Sequence, residues 1–257
     1  MLKKFTALFS FALLFACSSD DNSNVANSNP STIKKITETL YEDGPEPYTY
    51  SFDFNYENGV LKNIQRENTI LEFIYEGDKI VKSNQYSGAT LLESYTISYE
   101  GNNIRTFLQD DNNEKTEYVF QNDVLKSKTY YFSNDGIDWN PYEVDNYVFT
   151  NGNMMEHRNL LSGSGTNTSK TTYAYDQKNN PMRNMNKHLR HLLPFYGFSL
   201  LNANNAMTEN FYNTLESTTP SQESRYEIVY NSDNFPIEIK RIMGTDNLRS
   251  KTVIEYN

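Results

Sequence analysis

Phe54-Asn55-Tyr56-Glu57-Asn58-Gly59-Val60-Leu61 carries in eight residues the pattern on which the fold turns. Two rings two residues apart lie on one face of a strand, because successive side chains alternate sides. Asn58-Gly59 accepts the positive φ of a tight turn, and Leu61 opens a returning strand, so the stretch reads as a β-hairpin. With Tyr56 as position zero, the arrangement recurs at Tyr75, Tyr99, Phe120, Phe149, Tyr175 and Tyr230. Two residues earlier stand Phe54, Phe73, Ile97, Tyr118, Tyr147, Tyr173 and Ile228. Five residues later stand Leu61, Ile80, Ile104, Leu125, Met154, Asn180 and Phe235, apolar in all but one. Asn, Asp and Gly fill the turns between them. The anchors are 19, 24, 21, 29, 26 and 55 residues apart, so an extra segment sits in the last gap. Ile254-Glu255-Tyr256 repeats half a unit, and a further strand is expected around Thr32 to Leu40.

Composition says how such hairpins hold together. Only 37% of the 257 residues are hydrophobic, yet there are 20 Tyr, 15 Phe and one Trp. A buried aromatic removes roughly 150–250 Å² from water, and facing aromatic pairs add about 0.2–1 kcal/mol each, so rings can replace scarce aliphatics. A lone hairpin is marginal, so the units must stack. The expected fold class is all-β: a curled antiparallel β-hairpin meander of about 14–16 strands, barrel-like or an open roll, with one short helical insert. The net charge of −10 disfavours nucleic acid as a partner, which needs a basic footprint. A single Cys excludes an internal disulfide framework and a Cys-cluster metal site.

Tyr173-Ala174-Tyr175-Asp176-Gln177-Lys178-Asn179-Asn180-Pro181 and Tyr230-Asn231-Ser232-Asp233-Asn234-Phe235-Pro236 resemble the YD-repeat (Rhs-like) family. Tyr56-Glu57, Tyr75-Glu76 and Tyr99-Glu100 keep the ring and lose the Asp. The resemblance covers roughly residues 50–257 and implies a curling antiparallel sheet. A closed shell around protein cargo, as in large relatives, is not expected of a chain this short.

The amino terminus reads as an address. Met1-Leu2-Lys3-Lys4 precedes an apolar run from Phe5 to Ala16, too short for a spanning helix of about 20 residues. Leu14-Phe15-Ala16-Cys17 resembles the bacterial lipobox, which implies a leader over 1–16 and acylation of Cys17. Each buried CH₂ adds about 0.8 kcal/mol of membrane affinity, and two or more chains hold firmly. Residues 17–31 are small and polar and read as a tether, and Asp20-Asp21 resembles the surface-export signal of Bacteroidota lipoproteins. The expectation is an outer-membrane lipoprotein at the cell surface, or alternatively on the periplasmic face, with 32–257 as one β-repeat domain. Alternating runs nearer six residues than the 9–11 of a spanning strand argue against a transmembrane barrel.

The helical insert is placed at about 181–222. Asn180-Pro181 suits a helix start, and Met182, Met185, Leu189, Leu192 and Leu193 fall on one helical face. The segment is expected to plug one end of the sheet, so that deleting 183–218 exposes the sheet and lowers stability. Arg183, Lys187, His188, Arg190 and His191 occupy the other face and are read as solvated; His188 and His191 lack a third ligand, so no metal is expected. Asp110-Asp111-Asn112-Asn113-Glu114 and Asn134-Asp135-Gly136-Ile137-Asp138 lack EF-hand spacing and read as turns. Trp139 with Tyr130, Tyr131, Tyr142 and Tyr147 either stacks on sugars or packs the sheet. No catalytic signature, cofactor motif or ligand-binding residue stands out. The expected function is a non-enzymatic binding or structural module of the cell envelope, its partners the membrane through acyl chains and a glycan or an envelope protein. A glycan-binding accessory protein is one alternative. A carboxylate-dependent hydrolase is the other, and it requires two buried acids about 5–10 Å apart in a cleft.

Overall fold

The computed structural model describes residues 32–41, 46–111, 113–161, 168–193 and 200–257. The leader, Cys17, the tether and the apolar stretch 194–199 lie outside the described residues. Sixteen strands follow in chain order: β1 (Ile33–Leu40), β2 (Tyr48–Glu57), β3 (Val60–Arg66), β4 (Thr69–Glu76), β5 (Lys79–Ser87), β6 (Thr90–Glu100), β7 (Asn103–Gln109) and β8 (Glu114–Gln121). Then come β9 (Val124–Phe132), β10 (Asn140–Thr150), β11 (Asn153–Leu161), β12 (Thr168–Tyr175), β13 (Ala206–Tyr212), β14 (Gln222–Tyr230), β15 (Pro236–Met243) and β16 (Asn247–Tyr256). Each pairs antiparallel with its neighbours, and β1 pairs with β16 through Ile36↔Ile254 and Glu38↔Thr252. The meander is therefore a closed barrel, and closure leaves no sheet edge.

Turn chemistry sets the hairpins. Asn58-Gly59, Asn122-Asp123 and Asn151-Gly152 each hold two consecutive residues at φ between 52° and 78°, the mirror-image turn whose twist matches paired strands. Beside position zero the ladder slips by one residue, at Asn55/Tyr56, Ile74/Tyr75, Ser98/Tyr99, Val119/Phe120 and Val148/Phe149. Such a bulge disrupts the ladder locally. The tyrosine of the next unit fills the gap. Tyr75 donates to the carbonyl of Leu61 at 2.8 Å, Tyr99 to Ile80 at 2.9 Å, Tyr175 to Met154 at 2.5 Å and Tyr256 to Pro236 at 2.8 Å. The rings of the repeat thus face inward and also lock adjacent hairpins together.

The ring-bearing face lines the interior. Phe54, Leu61, Phe73, Ile80, Ile97, Ile104, Tyr118 and Leu125 are buried around Met182, Leu189, Leu193 and Leu200 of the insert. That insert plugs the end where the tight turns lie. Asn186 Nδ2 donates to the carbonyl of Asp78 at 2.9 Å, and the amide of Ala203 donates to the carbonyl of Gly152 at 2.9 Å. Three expectations are corrected here. The helix shrinks to one turn, α1 (Leu189–Leu192), preceded by turns in which Asn180 Oδ1 accepts from the amide of Met182. The insert also contains β13, so deleting 183–218 would remove a strand of the wall. Finally, the basic side of the segment is solvated only in part: Arg183 and Lys187 are exposed, while the other three turn inward. His188 is 3% exposed and meets the Tyr99 ring edge-on, and Arg190 donates to the carbonyls of Leu200 and Asn202. The wall encloses the segment from His188 to Leu193, so a basic side chain there meets protein, whereas Arg183 and Lys187 sit at the barrel end and meet water.

Strands of seven to eleven residues are longer than the sequence runs suggested, so length alone does not separate this barrel from a spanning one. The outward face is mixed. It carries Lys35–Asp53, Lys82–Asp110, Lys115–Glu117 and Lys251–Glu238 ion pairs at 2.9–3.5 Å beside exposed Ile74, Val119, Val148, Val229 and Val253. A Lys or Arg facing lipid at mid-bilayer costs about 2–4 kcal/mol, so the charged stretches of the wall suit water.

Candidate functional site

Two residues from each ring, counted away from the plug, the inner wall changes character part of the way round. On most of the circumference the facing pairs are Phe54↔Ile64, Phe73↔Ser83, Ile97↔Phe107 and Ile228↔Ile239. Across β8–β13 they become Tyr118↔Lys128, Tyr147↔His157 and Tyr173↔Glu209. Three successive hairpins thus set a tyrosine against an ionisable partner in a layer that is otherwise mainly apolar.

Asp145 organises this arc from β10. Its carboxylate pairs with His157 Nε2 at 2.7 Å and accepts Asn159 Nδ2 at 3.0 Å, the Tyr130 hydroxyl at 3.0 Å and the Tyr147 hydroxyl at 3.1 Å. Burial works to raise its pKa, but these donors and the His157 charge prevail and hold it below the usual carboxylate range. The His157 ring lies flat against Tyr147, centroids 5.3 Å apart. Glu143 shares the Asn159 amide with Asp145. Next round the wall, Glu209 accepts from the Tyr226 hydroxyl at 2.6 Å and from Arg241 at 2.9 Å. Lys128 closes the other flank. Its ammonium donates to the carbonyl of His191 on the plug at 3.2 Å and lies 5.2 Å from the Tyr118 ring centre. Burial pulls its pKa down to about 8 against the attraction of Asp145.

Solvent reaches these inward side chains. Those of His157, Arg241 and Glu209 are 27%, 28% and 23% exposed, whereas Met182 and Leu189 of the plug are sealed. Side chains inside a closed wall meet water only if the lumen is open, so the barrel is a cup with its floor at the plug. Toward the mouth, inward-facing Tyr48, Phe132 and Leu161 are 52%, 44% and 40% exposed.

The ring cluster expected around Trp139 is divided by the wall. Tyr130, Tyr142 and Tyr147 belong to the lumen side, with Tyr130 and Tyr142 centroids 6.3 Å apart. Trp139 and Tyr131 lie on the outside, sandwiching the Lys115 ammonium at 4.7 and 4.5 Å. The two acidic loops are self-contained. Asp110 is taken up by Thr96 and Lys82, and Asp135 accepts from Ser133, Ile137 and Asp138. Among the described residues no group of three or more His, Cys, Asp or Glu could hold a metal. Sequence reading missed Lys128, Asp145, His157, Glu209 and Arg241. A signal was present: position +8 runs Ile64, Ser83, Phe107 and then Lys128, His157, while position −2 turns to tyrosine.

No protein-family model and no curated protein matches the chain. Solved structures do. A porin-like protein from Bacteroides uniformis superposes with a TM-score of 0.57 at 13% identity, covering 89% of this chain and 99% of that one. A porin-like protein from Bacteroides vulgatus gives 0.52 at 17% identity with the same coverage. At such identities the likeness defines the fold: a 16-strand antiparallel barrel.

Proposed function

We propose that the chain is a non-enzymatic lipoprotein of the cell envelope, built of YD-like hairpins, held to the outer membrane through acyl chains on Cys17, with its barrel outside the bilayer as a one-ended binding cup at the cell surface. The observation that carries this is the division of polarity across the wall. Ion pairs interrupt the exposed apolar residues of the outside, where a spanning barrel would present a continuous apolar band, and the ordered polar arc lies inside above the plug. A plugged lumen favours binding over conduction. The amino-terminal strand supports the arrangement, because Thr32 lies at the plugged end, bonded to the amide of Asn257 at 2.9 Å. A tether from Cys17 therefore joins the floor and leaves the mouth free. Cys17→Ser should release the protein to the soluble fraction and leave it folded without detergent. Retention in the membrane, or a need for detergent, refutes the reading.

A second reading is carried by Glu143 and Asp145, whose carboxylates meet at one amide inside the lumen. Paired acids are what a glycoside hydrolase requires. Turnover of aryl glycosides that Glu143→Gln abolishes would establish it; a silent panel would leave the binding cup.

A further inference from the structure

We infer that the arc across β8–β13, with Arg241 of β15 at its edge, binds an uncharged polyhydroxylated ligand, a neutral saccharide, entering from the mouth. This rests on the binding-cup reading and names what the cup holds. Three observations converge. The first is placement: the arc is where an otherwise mainly apolar layer turns polar, directly above the plug, and solvent reaches it. Folding alone gives no reason to interrupt that layer, since the same position in β2–β7 is filled mainly by Phe and Ile.

The second is charge. Arg241 is paired with Glu209, Lys128 faces a plug carbonyl with Asp145 opposite it in register, and Asp145 is saturated by four partners. The site neutralises itself, so a charged ligand would have to break an existing pair and leave a desolvated charge behind. The third is what stays available for bonding. With Nε2 of His157 on Asp145, the ring's remaining capacity is at Nδ1. Asn159 keeps its amide oxygen, Glu143 its second oxygen, and the tyrosine hydroxyls their lone pairs. These free groups are mainly acceptors, and they match hydroxyl groups, each of which has an O–H to give. Half-buried Tyr173 and Phe211, both on the inner face, offer ring surface to the C–H face of a sugar.

The test uses the mature chain carrying Cys17→Ser, applied to an array of neutral, anionic and amino oligosaccharides, with the best binder titrated by calorimetry. The expected result is binding of a neutral oligosaccharide, weakened at least tenfold by Glu143→Gln and by His157→Gln and changed less than twofold by Trp139→Ala. Near-UV circular dichroism checks that each variant is folded. If His157→Gln is not, Ser169→Trp, which sets a ring into the lumen beside Asn159, takes its place with the same expected loss. Binding confined to charged glycans, loss through Trp139→Ala alone, or no binding to any neutral glycan overturns the inference. A barrel that is released and soluble without detergent yet binds no neutral glycan overturns the ligand and leaves the tethered cup intact.

Discussion

A tyrosine at position zero differs from phenylalanine by one hydroxyl, and in this barrel that hydroxyl closes a bulge in the neighbouring hairpin. Tyr75→Phe keeps the ring in the core and strands the carbonyl of Leu61. An unsatisfied buried acceptor costs about 1–3 kcal/mol, so the urea midpoint should fall with an unchanged slope. Phe120 and Phe149 occupy the same position without a hydroxyl to donate. Asp145 concentrates more at one residue. Removing it by Asp145→Ala leaves His157, Asn159, Tyr130 and Tyr147 without their shared acceptor, a loss of about 3–5 kcal/mol in equilibrium unfolding. Its pKa is depressed on folding, so its contribution is present above the unfolded value near about 4 and disappears as pH falls through the lower folded value. The variant should therefore lose less stability on acidification over that window than the parent does.

At the scale of elements, the plug is a segment that meets protein on both faces from His188 to Leu193. Burial, reinforced by Lys128 and Arg190 nearby, pushes the His191 pKa down to about 3, and its buried Nδ1 has no hydrogen-bond partner among the described residues. An unfolded histidine takes up its proton near pH 6.5, whereas the folded one resists until about 3. Stability is then lost as pH falls from about 6.5, at up to about 1.4 kcal/mol per unit. His191→Phe keeps ring contacts with Tyr118 and Phe120 and should flatten the melting temperature across pH 6.5–4 relative to the parent. The plug can also be removed without harming the wall, because the amide of Asn180 lies 3.1 Å from the carbonyl of Ala203. Replacing 181–202 by Gly-Gly should keep the β-sheet circular dichroism and lower the melting temperature. Deleting 183–218 should abolish cooperative unfolding, since β13 goes with it.

For the whole molecule, the barrel has a direction: Thr32 and the plug at one end, the longer loops and the lumen mouth at the other. In vesicles bearing the acylated protein, a fluorophore at Asp78→Cys on the plugged end should be quenched by a lipid-headgroup acceptor more strongly than one at Ile137→Cys near the mouth. Equal quenching would mean that the barrel tumbles freely on its tether. Much of this architecture was legible before any coordinates. Ring spacing and Asn-Gly turns named the hairpins, and the count of 14–16 strands contained the sixteen found. The arc was harder to see, because Lys128, Asp145, His157 and Glu209 are ordinary strand residues until a register sets them side by side. His188, Arg190 and His191 were misread as solvated because amphipathic patterning assumes water on one side; Arg183 and Lys187 do meet water.

Local patterning is enough to specify the repeating unit: alternation of rings, turns that demand positive φ, and the order in which hairpins meet. These are local, fixed by the reach of a few residues and by backbone sterics. Tertiary structure decided closure of β1 on β16, which inward positions stay wet, and that the insert seals the floor. Those depend on where the sixteenth strand arrives relative to the first, a sum over every twist and bulge between, which no single stretch of chain encodes.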